Sequence, residues 1–531
     1  MIPYPAIHAS HGGIWIASAE GTRPIGRGEA IRIAADTPVL LLNAPLVGLR
    51  LGYPELSGLD LLELFAFLHP ARFAVPTPKG LARAVDLSPP DKDEDVAAFL
   101  REAAAALLAV PQGDWPEREG AWTAAQSLTR LRWPWAPAIG PLLAKPQVNE
   151  RWLFAKLPEW EEQAPRPAPL TAVIPPADAE ARLANLTGQG AEERLGQRAF
   201  AAAATDAFAP RAMRDSPNLV LAEAGTGIGK TLGYLAPASL WAERAGGAVW
   251  ISTYTKALQR QLSKETERVY PDAAIRRQKV VTRKGRENYL CLLNLEEALQ
   301  GGFAGRAAIL AQLVARWAAY SADGDMVGGD LPGWLPTLFR RNGPAALTDR
   351  RGECVYAGCP HYRKCFIERA ARASAEADVV IANHALVMVN TARGRETATR
   401  PTRYVFDEGH HLFEAADSMF ATALTGRRRS SCAAGFWVPK AADAAAVAVC
   451  RRVCPTSRAT TNRAASRFRT RSRRHATSPP TAGWAGSRRA RRSGRSSTSS
   501  PPSAASPTPA PNSRGTPAMA SKPNSPNRRP N

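Results

Sequence analysis

Apolar and polar positions alternate along most of this chain in two distinct periods. Near the start, "HGGIWIASA" and "PVLLLNA" read as strands. "LDLLELFAFLH" and "DVAAFLREAAAALLAV" repeat apolar residues every three to four positions and read as helices. Residues 1–160 therefore predict a small α/β domain of their own. The stretch "QAPRPAPLTAVIPP" breaks both periods with prolines, so 161–189 reads as a Pro-rich linker. From 190 to 426, apolar runs alternate with amphipathic helical ones, the pattern of a parallel α/β domain. "NLVLAEAG", "GAVWIST" and "RYVFDEGHH" are its buried-strand candidates. Over 427–531 the periodicity stops, and Ser, Pro, Arg, Ala and Thr dominate. A segment of that kind buries too little apolar surface to offset its ordering entropy and reads as a disordered tail.

Charge changes this picture only in its distribution. The chain of 531 residues has a formal net charge of +22, which at first suggests nucleic acid. Yet 22 of its 69 Lys and Arg fall after residue 417, beside a single acid, Asp443. The remainder is near neutral, so the total says little about its function. The longest apolar stretch near the start, "TPVLLLNAPLVGL", is too short to span a bilayer. Seven cysteines, sparse and odd in number, do not form a secreted disulfide pattern. These features predict a cytoplasmic protein with no membrane segment, in which clustered cysteines hold metal or do redox work.

Two motifs point to nucleotide chemistry. "AEAGTGIGKT" (222–231) follows an apolar run and precedes a helical one, the setting of a phosphate-binding loop. Gly225, Thr226, Gly227 and Gly229 let successive backbone N–H groups face phosphate oxygens. Lys230 is placed to reach the β- and γ-phosphates, and Thr231 to put its hydroxyl on Mg²⁺. Ala224 stands where the strict pattern has its first glycine. "YVFDEGHH" supplies the second half: Asp407 to hold Mg²⁺, Glu408 to orient and deprotonate the attacking water. His410 is the candidate for coupling the nucleotide state to a neighbouring domain.

Between these motifs lies "RGECVYAGCPHYRKCFIERA", with Cys354, Cys359 and Cys365 in a C-x4-C-x5-C array. Cys291, in "RKGRENYLCLLNLEE", is the fourth candidate. Four thiolates suit tetrahedral zinc or an iron–sulfur cluster, and the long spacings lean toward the cluster. His361 falls between two of the cysteines and reads as an exposed residue rather than a substitute ligand.

These pieces together resemble the superfamily-two DNA helicases of DinG type, relatives of XPD. The resemblance covers about 190–425 and rests on "EAGTGIGKT", "VWISTYTKALQRQL", "KGRENYLC", the cysteine array, "ADVVIANHALVM" and "VFDEGHH" in that order. It implies a RecA-like domain with an iron–sulfur insertion at about 284–375. It also implies a 4Fe–4S cluster on Cys291, Cys354, Cys359 and Cys365, and ATP-driven 5′-to-3′ movement on single-stranded or 5′-tailed DNA. Gln197 in "ERLGQRAF" matches the glutamine that reads adenine, making it a cofactor-binding candidate. Thr253, Thr255 and Gln259 are expected to hold DNA phosphates. Arg283, Lys284, Arg286 and Tyr289 are expected to contact backbone and base. Asn383 and His384 match the "NH" pair expected to position the DNA-facing side.

Two expectations depart from that family. A motor of this kind needs a second RecA-like domain, and no further motif follows "DEGHHLFEAADSMF". The abrupt change after Gly426 to Arg/Ser/Pro/Ala text with a single acid predicts a shifted reading frame, in which Cys432, Cys450 and Cys454 have no role. The chain as written then reads alternatively as an ATP- and DNA-binding module that does not unwind. At the other end, "LDLLELFAFLHPARFAVPTPKGLARAVDL" resembles the later part of a proofreading-exonuclease domain. No D-x-E stands on the first strand, and "IWIASAEG" offers Glu20 alone, so the domain is expected to be degenerate and inactive.

Overall fold

The protein is described here by a computed structural model covering 2–147, 153–188, 192, 194–213, 216–225, 227–339, 343–349, 354–393 and 401–421. The expected tail, including Cys432, Cys450 and Cys454, lies outside the described residues, as does Thr226. The architecture is α/β, with two separate sheets.

The first sheet has the order β3-β2-β1-β4-β5 and is built from β1 (Ala6–Ala9), β2 (Ile14–Ser18), β3 (Gly21–Pro24), β4 (Leu40–Leu41) and β5 (Leu59–Asp60). The first three strands are antiparallel neighbours; β4 runs parallel to β1, and β5 to β4. The helix Asp93–Ala109 packs on this sheet through Val96, Phe99, Leu100, Ala103 and Leu107, the face its three-to-four spacing requires. The helix Leu61–Leu68 is apolar on every side except Glu63, and all eight of its residues are buried. It is buried all round because a second body of helices packs over it. One apolar cluster joins Leu64, Phe65, Trp133 and Trp135 to Ile309, Leu313, Trp317 and Trp334 of the region between the two nucleotide motifs.

The second sheet is fully parallel, in the order β7-β8-β6-β9, with β6 at Val249–Thr253, β7 at Val280–Thr282, β8 at Val379–Asn383 and β9 at Arg403–Phe406. "GAVWIST" and "RYVF" form strands as expected. "NLVLAEAG" does not: 217–225 takes no regular structure, and Leu219 and Leu221 are 79% and 89% exposed. An apolar run becomes a strand only where a neighbour takes up its N–H and C=O groups. Among the described residues β9 pairs with β6 alone, and this run pairs with no strand. The helix Lys230–Ala245 follows, nearly encircled by the sheet and the helices Pro176–Thr187 and Leu195–Ala204.

Candidate functional site

The loop and the acidic pair converge although 177 positions separate Lys230 from Asp407. Gly229 caps the helix Lys230–Ala245 at φ 87°, and a Cβ there would press against the Gln197 amide. Glycine is therefore required by both backbone and space. The helix Leu195–Ala204 holds the loop backbone from behind: Gln197 Nε2 donates to the Gly229 carbonyl at 2.8 Å, and Arg194 Nη1 to that of Gly227 at 2.8 Å. Gln197, the adenine-reading candidate, is buried and engaged with the loop itself. Gly225 and Gly227 lie in the exposed part of that loop.

Opposite the loop, β9 delivers Asp407 and Glu408 at its carboxyl end. The Asp407 N–H donates to Ser252 of β6 at 2.8 Å, which anchors the turn. Glu408 adopts a left-handed conformation, φ 57° and ψ 48°, which costs a non-glycine residue on the order of 1–3 kcal/mol. Its Oε1 accepts from Lys230 Nζ at 3.1 Å. That hydrogen bond holds the Glu408 carboxyl below the usual range. Burial, reinforced by the Glu408 charge, raises Asp407 against the opposing pull of Lys230. Thr231 stands on the first turn of the helix, half-buried. His410 is 66% exposed, with Nδ1 3.6 Å from Glu408 Oε2.

Two further participants, Tyr234 and Tyr254, were not named from the sequence, and His384 is found in an enclosed place. The Tyr234 hydroxyl is buried beside Thr231 and Asp407 yet completes no hydrogen bond. Its place one turn after Lys230 was the available signal. His384 is 1% exposed, its Nδ1 2.7 Å from Ser252 Oγ, and it lies against the backbone of Asp407 and Glu408. A side chain so enclosed meets no phosphate itself, and its contacts are to the backbone that carries the acidic pair. Its neighbour Asn383 accepts from the Leu386 N–H at 3.0 Å. Tyr254, exposed at the end of β6, stacks on His411 at 3.7 Å.

The residues expected to touch DNA are also placed differently. Thr253 and Gln259 are buried, and the Thr255 hydroxyl caps the helix Lys256–Val269. Lys284 is paired with Asp325, both nearly enclosed. Arg286 donates to Asp349 at 2.9 Å and lies over the Tyr356 ring. Arg283 reaches Ser374, and Tyr289 is 3% exposed. Charges out of water need partners, and these found them inside the protein.

Cys291, Cys354, Cys359 and Cys365 line one small pocket that is partly open to solvent. Burial raises the thiols of Cys291 and Cys359, and that of Cys365 to about 11. Among the described residues, no three His, Cys, Asp or Glu side chains are grouped to hold a metal ion. The donor set nevertheless fits a thiolate-bound group: all four are free cysteines, half-buried, facing a shared space. His361 also lines it, but is 7% exposed rather than open to solvent. Its Nε2 lies 2.7 Å from Glu296 Oε2.

With this geometry in place, comparison with known proteins is informative. Over 250 residues the chain is 33% identical to the ATP-dependent DNA helicase YoaA of Escherichia coli, covering 45% of this chain and 36% of that one. It is 34% identical over 259 residues to the ATP-dependent helicase DinG of Mycobacterium tuberculosis, covering 44% and 37%. The chain is similar to DinG-type helicases. A 3'-5' exonuclease DinG of Bacillus subtilis is 32% identical over 243 residues, covering 44% of this chain and 24% of the relative. The chain thus spans roughly a third of the length of the first two of these relatives. No family model matches it. Among the described residues, no helix is long and apolar enough to cross a membrane.

Proposed function

We propose that this chain carries the nucleotide-binding half of a cytoplasmic, ATP-dependent DNA helicase of DinG type. The parallel sheet around β6 is read as its RecA-like first motor domain. The observation that carries the reading is the meeting of Lys230 and Glu408 at 3.1 Å across the mouth of a glycine loop. Nothing in the local sequence requires that contact, whereas phosphoryl transfer needs a cation for the phosphates and a carboxylate for the water at one place.

In this reading Lys230 turns from Glu408 to the β- and γ-phosphates when ATP arrives. Glu408 is then free to orient and deprotonate water. Thr231 and Asp407 hold Mg²⁺, which would neutralise charge on the phosphates when bound. Tyr234 orients the polar shell around those two side chains. Gln197 and Arg194 keep the loop backbone in register, and His410 senses the state of Glu408 at the surface.

The four cysteines are read as the ligands of a 4Fe–4S cluster, with zinc as the alternative. Such a group would brace the inserted helices as a rigid wedge. The DNA substrate is single-stranded or 5′-tailed, and movement is 5′-to-3′. The N-terminal sheet is read as a degenerate exonuclease-like domain, since neither β1 nor β2 carries a D-x-E pair that would bind metals.

ATP hydrolysis stimulated by single-stranded DNA, together with displacement of a strand from a 5′-tailed duplex, tests the whole reading. Among the described residues, the run 217–225 that leads into the glycine loop pairs with no strand of the sheet carrying Asp407 and Glu408, which favours a second outcome. That outcome is nucleotide and DNA binding without displacement, the behaviour of a binding module. Absence of nucleotide binding would sink both readings.

A further inference from the structure

The segment joining the N-terminal unit to the parallel sheet is not a free linker where it passes the cysteines. Phe154 is 4% exposed, and its ring lies 4.5 Å from that of His361. The Phe154 carbonyl accepts from Lys364 Nζ at 2.7 Å. Six residues on, the Trp160 backbone N–H donates to the Arg363 carbonyl and its Nε1 to the Tyr362 carbonyl, both at 2.8 Å. The Arg372 guanidinium covers the same indole at 3.5 Å. Arg166 then fastens the strand-like continuation to Asp378 at 2.7 Å, just before β8.

What this segment grips is the loop between Cys359 and Cys365. The loop contains one short 3₁₀ turn, Tyr362–Lys364, directly follows another, Tyr356–Gly358, and has no ladder of its own. Such a loop holds side chains to ligand tolerance only if its backbone is fixed from outside. The gripping segment is itself anchored in the N-terminal unit. Phe154 and Leu157 belong to the apolar cluster shared with the helix Leu61–Leu68. Directed bonds tie that unit to the cysteine region. Trp334 Nε1 donates to the Ala74 carbonyl at 2.7 Å, and Arg306 donates to the buried Glu63 at 2.6 Å.

We propose that Phe154–Trp160 is a clamp that positions the Cys359–Cys365 loop, and that the N-terminal unit serves as the scaffold of the cysteine site. Trp160 is a positioning residue here; it touches no cysteine ligand atom. The proposal rests on the reading of the four cysteines as ligands only for its consequence, not for the clamp itself.

Hydrogen exchange of the full chain tests it with Trp160→Ala, and with Trp160→Phe, which keeps a ring but loses the Nε1 donor. The Cys359, Lys364 and Cys365 amides, each bonded within the loop, should exchange about tenfold faster in Trp160→Ala. Trp160→Phe should fall between, and β6 and β8 should be unchanged in both. If Trp160→Ala does not fold, Trp160→Phe decides alone. Unchanged protection of the loop overturns the clamp. In parallel, the chains are loaded anaerobically with iron and sulfide, or with zinc, and challenged with a chelator. Faster metal release from the variants supports the scaffold role, and equal release overturns it. If the unmutated chain takes up neither metal, the cysteine reading fails, and loop exchange still decides the clamp.

Discussion

Lys230 and Glu408, 178 positions apart, form a 3.1 Å ion pair at the mouth of the glycine loop. On the reading proposed above, each side chain holds the group that the other would need free: the Lys230 ammonium for phosphate, the Glu408 carboxylate for water.

Substitution separates their roles. Lys230→Ala is expected to lose nucleotide binding. Glu408→Gln should bind Mg·ATP at least as tightly as the parent, yet hydrolyse it about 10²- to 10⁴-fold more slowly. Equilibrium titration with a fluorescent nucleotide, set beside phosphate release, reads both. Weak binding by Glu408→Gln would show that Glu408 serves the loop's structure instead.

Tyr234→Phe removes the one buried hydroxyl beside Thr231 and Asp407 that lacks a partner. Nucleotide affinity at saturating Mg²⁺ is expected to hold. The Mg²⁺ concentration at half-saturation should rise about threefold to tenfold, as for loss of a water-bridged contact. Affinity that falls equally at every Mg²⁺ level would point to packing alone.

Replacing Cys291, Cys354, Cys359 or Cys365 singly by Ser should each cut bound metal per chain after anaerobic loading. The expected readouts are iron and zinc content and the visible absorption of the loaded protein. Full retention in any one variant removes that cysteine from the ligand set.

Asp60 supplies a test by pH. Burial, then the nearby Glu63, raises its carboxyl from 3.8 to about 7 despite N–H donors from Ala44, Leu62 and Asn43. The folded state therefore binds a proton that the unfolded state releases. The stability Asp60 contributes is present below the unfolded value and is lost as pH rises from about 4 to 7. The slope is at most about 1.4 kcal/mol per pH unit. Urea midpoints of the parent and Asp60→Asn, compared from pH 5 to 8, should shift in favour of the variant as pH rises. A constant gap would mean that Asp60 is ionised in the fold.

The local motifs were legible because their chemistry is local. The glycine loop, the Asp407-Glu408 pair and the close cysteines each require particular residues at particular spacings. The helix Asp93–Ala109 and strand β6 were readable for the same reason, since a periodic apolar face commits a segment before it meets a partner. "NLVLAEAG" misled because an apolar run states a preference for burial, not which neighbour provides it. The partners of Arg286 and Lys284 were not legible, because a basic residue beside an aromatic one looks the same whether its counter-charge is a phosphate or Asp349.

By itself, then, the sequence determined the groups available to this protein: a glycine-rich loop ending in Lys230, an acidic pair, four thiols and an α/β pattern. The tertiary structure decided which of these meet. It brought Lys230 to Glu408, enclosed His384 behind Asp407, internalised the basic loop, and joined the N-terminal unit to the cysteine region through one apolar cluster. The physical reason is that contacts between residues a hundred or more positions apart depend on how faces pack and on which charges lose water, and neither is written in local spacing.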